Sequence, residues 1–157
     1  PDIVISAKGI GGGFPLSAVL VKEKIGSVMT PGSHGSTYGS NPLACAVGRA
    51  VLAEVSKPSF LADAKQRGTY FMQQLQELCK EFPLLFSTVR GRGLMLGVAF
   101  SPTENKYLFS NQLLENGLIV APAVTDVLRI LPSLTITKEH IDEAIGIFRQ
   151  VAQNYRG

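Results

Sequence analysis

The chain opens on an apolar run, Ile3-Val4-Ile5-Ser6-Ala7, which stops at Lys8 and gives way to Gly9, Gly11, Gly12, Gly13 and Phe14-Pro15. Serial β-branched residues followed by a glycine cluster predict a buried strand running into a sharp turn, where the backbone passes close to another object. Leu16 to Val21 predicts a second short buried strand, and the polar Lys22-Glu23-Lys24 leads away from it toward Pro31-Gly32. Helical spacing then takes over. Asn41 is a good N-cap with Pro42 at the first helical position, and Leu43, Val47, Ala50 and Val51 recur at helical intervals, so this helix is expected to cover a sheet.

Lys57-Pro58-Ser59 interrupts the pattern, after which Leu61, Ala64, Gly68, Phe71, Leu75 and Leu78 alternate steps of three and four as far as Pro83. One long amphipathic helix is predicted. Its heptad-like stripe lasts only about three heptads and includes Ala64 and Gly68, which favours packing on a domain over a coiled coil and makes this helix a bridge between two domains. Phe86–Val89 and Leu94–Phe100 then read as strands, the second with Leu94, Leu96, Val98 and Phe100 on one face, joined through a solvated Arg90-Gly91-Arg92-Gly93. A helix from Lys106 stops at Asn116-Gly117, strands follow at Leu118–Val120 and Val127–Leu131, and Thr137 caps a last helix with Ile141, Ile145, Phe148 and Ala152 inward. The order predicts a small α/β layer, with helices on one face of a mainly antiparallel sheet.

Composition narrows the function classes. The 157 residues suffice for a real core, and 45% apolar with 17% charged residues is ordinary for a globular chain. A formal charge of +3, scattered and not striped, points away from nucleic acid. No run of about 18 apolar residues is present to span a membrane. Cys45 and Cys79 lie in predicted helices without CxxC or histidine-rich spacing, so neither a metal site nor a disulfide framework is indicated, and reduced thiols in a cytoplasmic setting fit.

Lys8 is the leading chemical candidate. A strand-end lysine that merely reaches solvent is the ordinary reading of such a residue. Beside a glycine turn, however, an amine whose pKa is lowered by neighbours or desolvation can form a Schiff base with an aldehyde. Arg129 lies in the apolar strand Val127–Leu131, where a buried guanidinium needs an anion, supplied either by a structural salt bridge or by a ligand carboxylate. Ser36 and Thr37 precede an N-cap, a place where hydroxyls, amides and a helix N-terminus converge on phosphates but where Gly and Ser also serve ordinary turns. Arg90, Arg92 and His34 receive no catalytic role.

Pro1-Asp2-Ile3 through Ala7-Lys8-Gly9 with Gly11-Gly12-Gly13-Phe14-Pro15 resembles the cofactor-lysine segment of class III aminotransferases, which use pyridoxal 5'-phosphate (PLP). Gly32–Leu43, Val89–Gly97 and Val127–Leu134 match further family segments in the same order, closest to the acetylornithine, succinylornithine and ornithine aminotransferase branch. The resemblance implies an α/β PLP-dependent transferase of fold type I, aspartate-aminotransferase-like. Residues 1–57 would form the C-terminal part of the large domain, and residues 58–157 the bridging helix and small C-terminal domain.

It further implies that Lys8 anchors the cofactor as a Schiff base and then shuttles a proton, with its pKa lowered by a cationic neighbourhood. Thr37, beside Ser36, would reach the phosphate of the other subunit's cofactor in a homodimer with shared active sites, and Arg129 would grip a substrate carboxylate. The reaction implied moves an amino group from an ω-amino donor to 2-oxoglutarate, giving glutamate, with small-molecule amino-acid and 2-oxo-acid substrates as partners beside the second subunit, and neither nucleic acid nor membrane. Since family members carry a long segment before the lysine, the chain is expected to be the C-terminal portion of an incomplete subunit. An aminomutase or decarboxylase of the same fold is one alternative, and an inert dimerisation module lacking the cofactor site is another. One departure is local: many relatives have Gly-Gly-Asn-Pro where this chain has Gly39-Ser40-Asn41-Pro42, and the small serine is expected to be tolerated.

Overall fold

The structure, a computed structural model, describes residues 1–102 and 104–156. The chain forms two compact units, Pro1–Leu61 and Ala62–Gly157, with the division inside the first turn of the long helix.

In the first unit β1 (Ile3–Ser6) and β2 (Ala18–Val21) pair antiparallel, Ile3 opposite Val21 and Ser6 opposite Ala18. These strands are not buried as their composition predicts: Ile5 is 74% exposed, and Ile3, Val4, Val19, Leu20 and Val21 are exposed as well. The apolar run encodes strand propensity, but a two-stranded sheet has no further layer of its own to cover its faces. A four-residue helix α1 (Glu23–Gly26) follows, and then α2 (Pro42–Val55), capped by Asn41 Oδ1 accepting from the Ala44 amide at 2.8 Å.

Helix α2 packs mainly on the glycine-rich turn after β1, and not on a sheet as expected. The reason is the size of its inner residues. Ala44 and Gly48 are buried while Leu43 is 62% exposed, and a Cβ at Gly48 would lie 2.6 Å from Leu16 Cδ2. A close backbone approach therefore replaces the larger aliphatic face.

The second unit holds the hydrophobic core. Helix α3 (Pro58–Glu81) buries Gly68, Phe71, Leu75 and Leu78, as its stripe predicts, while Leu61 remains exposed. A four-stranded sheet runs in the order β3 (Phe86–Arg92), β4 (Met95–Phe100), β6 (Val127–Ile130), β5 (Ala121–Pro122), every pairing antiparallel. Helices α4 (Lys106–Glu115) and α5 (Lys138–Asn154) complete the core, with Ile141, Ile145, Phe148 and Ala152 inward. Phe86, Phe100 and Phe109 meet edge to face, with ring centres 5.1–5.5 Å apart, a geometry that adds about 0.5–1.5 kcal/mol per pair beyond area burial.

Two expectations fail here. Leu118–Val120 forms no strand, and Ile119 is 83% exposed; the pairing with β6 begins only at Ala121. The chain must first leave the αL residue Gly117 (φ 88°) that stops α4, with Leu118 N still donating to Leu113 O at 2.9 Å. Nor is Arg90–Gly93 a loop. Strand β3 continues through Arg92, opposite Met95, and only Gly93 and Leu94 turn the chain. Among the described residues no helix is long and apolar enough to cross a membrane.

Candidate active site

Lys8 follows β1 across Ala7 and begins a 3-10 turn, Lys8–Gly11, closed by Ile10 N donating to Ala7 O (3.3 Å) and Gly12 N donating to Gly9 O (3.1 Å). Its own backbone lies at φ 55°, in the left-handed region. For a residue with a Cβ this conformation costs about 1–2 kcal/mol and concentrates at functional sites. Gly12 (φ 55°) and Gly13 (φ 107°) continue the turn, and a Cβ at Gly12 would stand 2.9 Å from Val51 Cγ2, so α2 holds the turn closely. The lysine is exposed and lines an open cleft of about 510 Å³ with Gly9, Gly12, Gly13, Phe14 and Pro15.

Ser36 and Thr37 lie in the exposed loop before α2. Ser36 Oγ accepts from the Gly39 amide at 2.9 Å, the ordinary turn bond its sequence allows, whereas the Thr37 hydroxyl has no hydrogen-bond partner among the described residues. The loop is closed by Asn41, whose Nδ2 donates to Tyr38 O at 2.9 Å while its Oδ1 caps the helix. Ser40 sits at φ 57°, in the left-handed region that favours glycine. Ser40→Gly is therefore expected to stabilise the protein by about 0.5–1 kcal/mol, read as a higher denaturant midpoint with an unchanged slope. An unchanged midpoint would mean that Ser40 is not strained.

Arg129 is exposed, contrary to its expected burial, because the alternation of β6 sends Leu128 and Ile130 to the core and Arg129 to the other face. It makes no ion pair or side-chain hydrogen bond among the described residues, so the structural salt bridge weighed as its alternative partner is absent. Arg129 stands in register with Gly97 of β4 and Ala121 of β5, both too small to crowd it.

One polar feature has no local signature in the sequence. Lys106, 8% exposed, donates from Nζ to the carbonyls of Ala123 and Thr125 and so pins the connection between β5 and β6 to the start of α4. Its partners lie more than a dozen positions away in the chain, and composition gives no sign of them.

The chain is 44% identical over 151 residues to the acetylornithine aminotransferase of Aquifex aeolicus, which covers 96% of the chain and 38% of that protein. It is 45% identical over 148 residues to the succinylornithine transaminase of Photorhabdus laumondii, covering 92% and 36%. The chain thus spans well under half the length of the curated relatives it matches. Among solved structures, the ornithine δ-aminotransferase of Plasmodium falciparum superposes with a TM-score of 0.89 at 34% identity, over 99% of this chain and 40% of that one. The acetylornithine aminotransferase of Elizabethkingia anophelis gives 0.87 at 34%, over 99% and 41%. The expected α/β fold of the PLP-dependent aminotransferases is therefore the fold of this chain. The family model for class III aminotransferases matches residues 1–152, and the chain belongs to that family.

Proposed function

We propose that this chain carries the Schiff-base lysine and a carboxylate-binding arginine of a PLP-dependent transaminase. The amino donor would be ω-amino, of the N-acetylornithine, succinylornithine or ornithine type, and 2-oxoglutarate the acceptor that becomes glutamate. The observation that carries the reading is Lys8, a residue with a side chain held in a left-handed backbone at the mouth of a glycine turn. Its surroundings fit the cofactor, since ideal Cβ atoms at Gly9 and Gly13 would meet nothing within 4 Å and leave open space beside the amine. When bound, pyridoxal phosphate supplies an aldehyde for amines and an electron sink for the carbon that loses its proton.

The protein's own residues then divide the work. Lys8 Nζ provides the anchoring amine and, once released from that bond, holds and returns the proton removed from the substrate carbon. Thr37, whose hydroxyl has no partner among the described residues, is assigned to the phosphate of the partner subunit's cofactor in a cytoplasmic homodimer. Ser36, which already accepts from Gly39, keeps its O–H free to donate to the same group. Arg129, with no anionic partner among the described residues, offers a planar fork that orients the substrate through its carboxylate. A retained carboxylate favours amino-group transfer over the decarboxylase alternative.

The test is borohydride reduction of the whole protein loaded with pyridoxal phosphate, followed by peptide mapping. A phosphopyridoxyl adduct on Lys8, together with 2-oxoglutarate-dependent glutamate formation, is expected. Absence of the adduct would leave the inert dimerisation module as the description of this chain.

A further inference from the structure

Of the five asparagines in the chain, Asn116 alone precedes a glycine. An asparagine in that setting can react with its own backbone, because glycine places no side chain beside the nitrogen that attacks the side-chain carbonyl carbon. Here even an added Cβ at Gly117 would meet nothing within 4 Å, and both residues are exposed, so water and base reach the pair.

The fold holds the two reacting atoms apart. At the Asn116 ψ of 12° the Gly117 nitrogen is nearly eclipsed with the nitrogen of Asn116 and points away from its Cβ, so a five-membered ring cannot close until ψ turns. Gly117 N is also committed, donating to Leu114 O at 3.0 Å, with Leu118 N donating to Leu113 O at 2.9 Å behind it. The side chain is tied at both ends: Nδ2 donates to Gln112 O (2.8 Å), and Oδ1 accepts from Gln150 Nε2 on α5 (3.2 Å). These bonds close an exposed helix end, the kind of place where local opening costs least.

We propose that Asn116 is a deamidation site, held unreactive by the closed C-terminal turn of α4 and by Gln150, and that its conversion loosens this end of the helix. When the turn opens, Gly117 N bonds to Asn116 Cγ and gives up its proton, while the Cγ–Nδ2 bond breaks and Nδ2 leaves as ammonia. Water then opens the cyclic imide at either carbonyl, leaving aspartate or isoaspartate. The carboxylate has no proton to donate to Gln112 O and sets a negative charge against the carbonyl end of α4. Isoaspartate also lengthens the main chain by one carbon, just where Gly117 and Leu118 leave the helix to wall the apolar cleft they share with Phe71, Ile130 and Phe148.

The test incubates the whole protein in mildly alkaline buffer, folded and in denaturant, and follows amide-to-acid conversion by peptide mapping, with the other four asparagines as internal controls. Conversion is expected at Asn116 and at least about tenfold faster in the unfolded chain. Gln150→Ala, an exposed substitution, should speed conversion in the folded protein about two- to tenfold, the worth of one hydrogen bond. Asn116→Gln, whose longer side chain must close a larger ring, should abolish it, and Asn116→Asp should lower the denaturant midpoint. Equal rates in folded and unfolded chains, an unfolded chain that stays unmodified at Asn116, or a Gln150→Ala protein that reacts no faster would overturn the gated site. An unchanged midpoint for Asn116→Asp would overturn the loosening.

Discussion

On the role proposed for Lys8, Lys8→Ala in the whole protein is expected to lower transamination by about a thousandfold or more, since that reading has one substitution remove both anchoring amine and proton carrier. The visible absorbance of the lysine-bound cofactor should disappear, and reduction should leave no adduct on the peptide around residue 8. Lys8→Arg separates charge from nucleophilicity. A guanidinium keeps the positive charge but cannot supply a neutral amine, so this variant should be as inactive as the alanine one. Substantial activity in either variant would place the reactive amine elsewhere. Backbone geometry sharpens the expectation, because residue 8 is held left-handed by its turn, and alanine inherits the same φ of 55°. Loss of function without loss of fold is the anticipated signature.

The largest effect on stability is expected from Gly68→Ala. In a helix, alanine is favoured over glycine by about 1 kcal/mol, so a surface site would gain from the change. At residue 68 the new Cβ would lie 2.5 Å from the carbonyl carbon of Gly93 and 2.6 Å from its oxygen. Those atoms are backbone, in the two-residue turn that links β3 to β4, and no rotamer change can move them aside. Overpacking of this kind costs about 3 kcal/mol or more, which leaves a net loss of about 2 kcal/mol. Denaturant unfolding measures it directly, and a neutral outcome would show that α3 and the turn separate readily. Gly93 itself serves a different need: its φ is 56° while an added Cβ would meet nothing, so its demand is conformational and not spatial.

What the sequence made legible follows from how local each signal is. Helix α5 could be read in full, because Thr137 caps it and its inward residues recur at helical spacing, all within one segment. Asn41 and Pro42 marked the start of α2 for the same reason. The strand predicted at Leu118–Val120 was misplaced because apolar character specifies a preference for pairing without naming the partner, and register is decided by β6. Burial of Arg129 was misread from its apolar neighbours, since Leu128 and Ile130 report the opposite face. Lys106 and the contact of Gly68 with Gly93 were invisible, as each joins residues far apart in the chain. In the candidate site, Lys8 and its glycines were readable as a strand-to-turn motif, whereas the left-handed angles of Lys8 and Ser40 emerge only from the folded backbone.

The β1–β2 pair has a practical consequence for anyone handling these residues as a separate polypeptide. Among the described residues each strand has one hydrogen-bonding edge satisfied by the other and one edge left open, and aliphatic side chains project to solvent from both. Open edges beside uncovered aliphatic surface recruit further strands, from other molecules when nothing else is at hand. This strand pair is therefore one determinant of the solubility of the isolated 157 residues, and charged substitutions on β1 or β2 are a rational place to improve it.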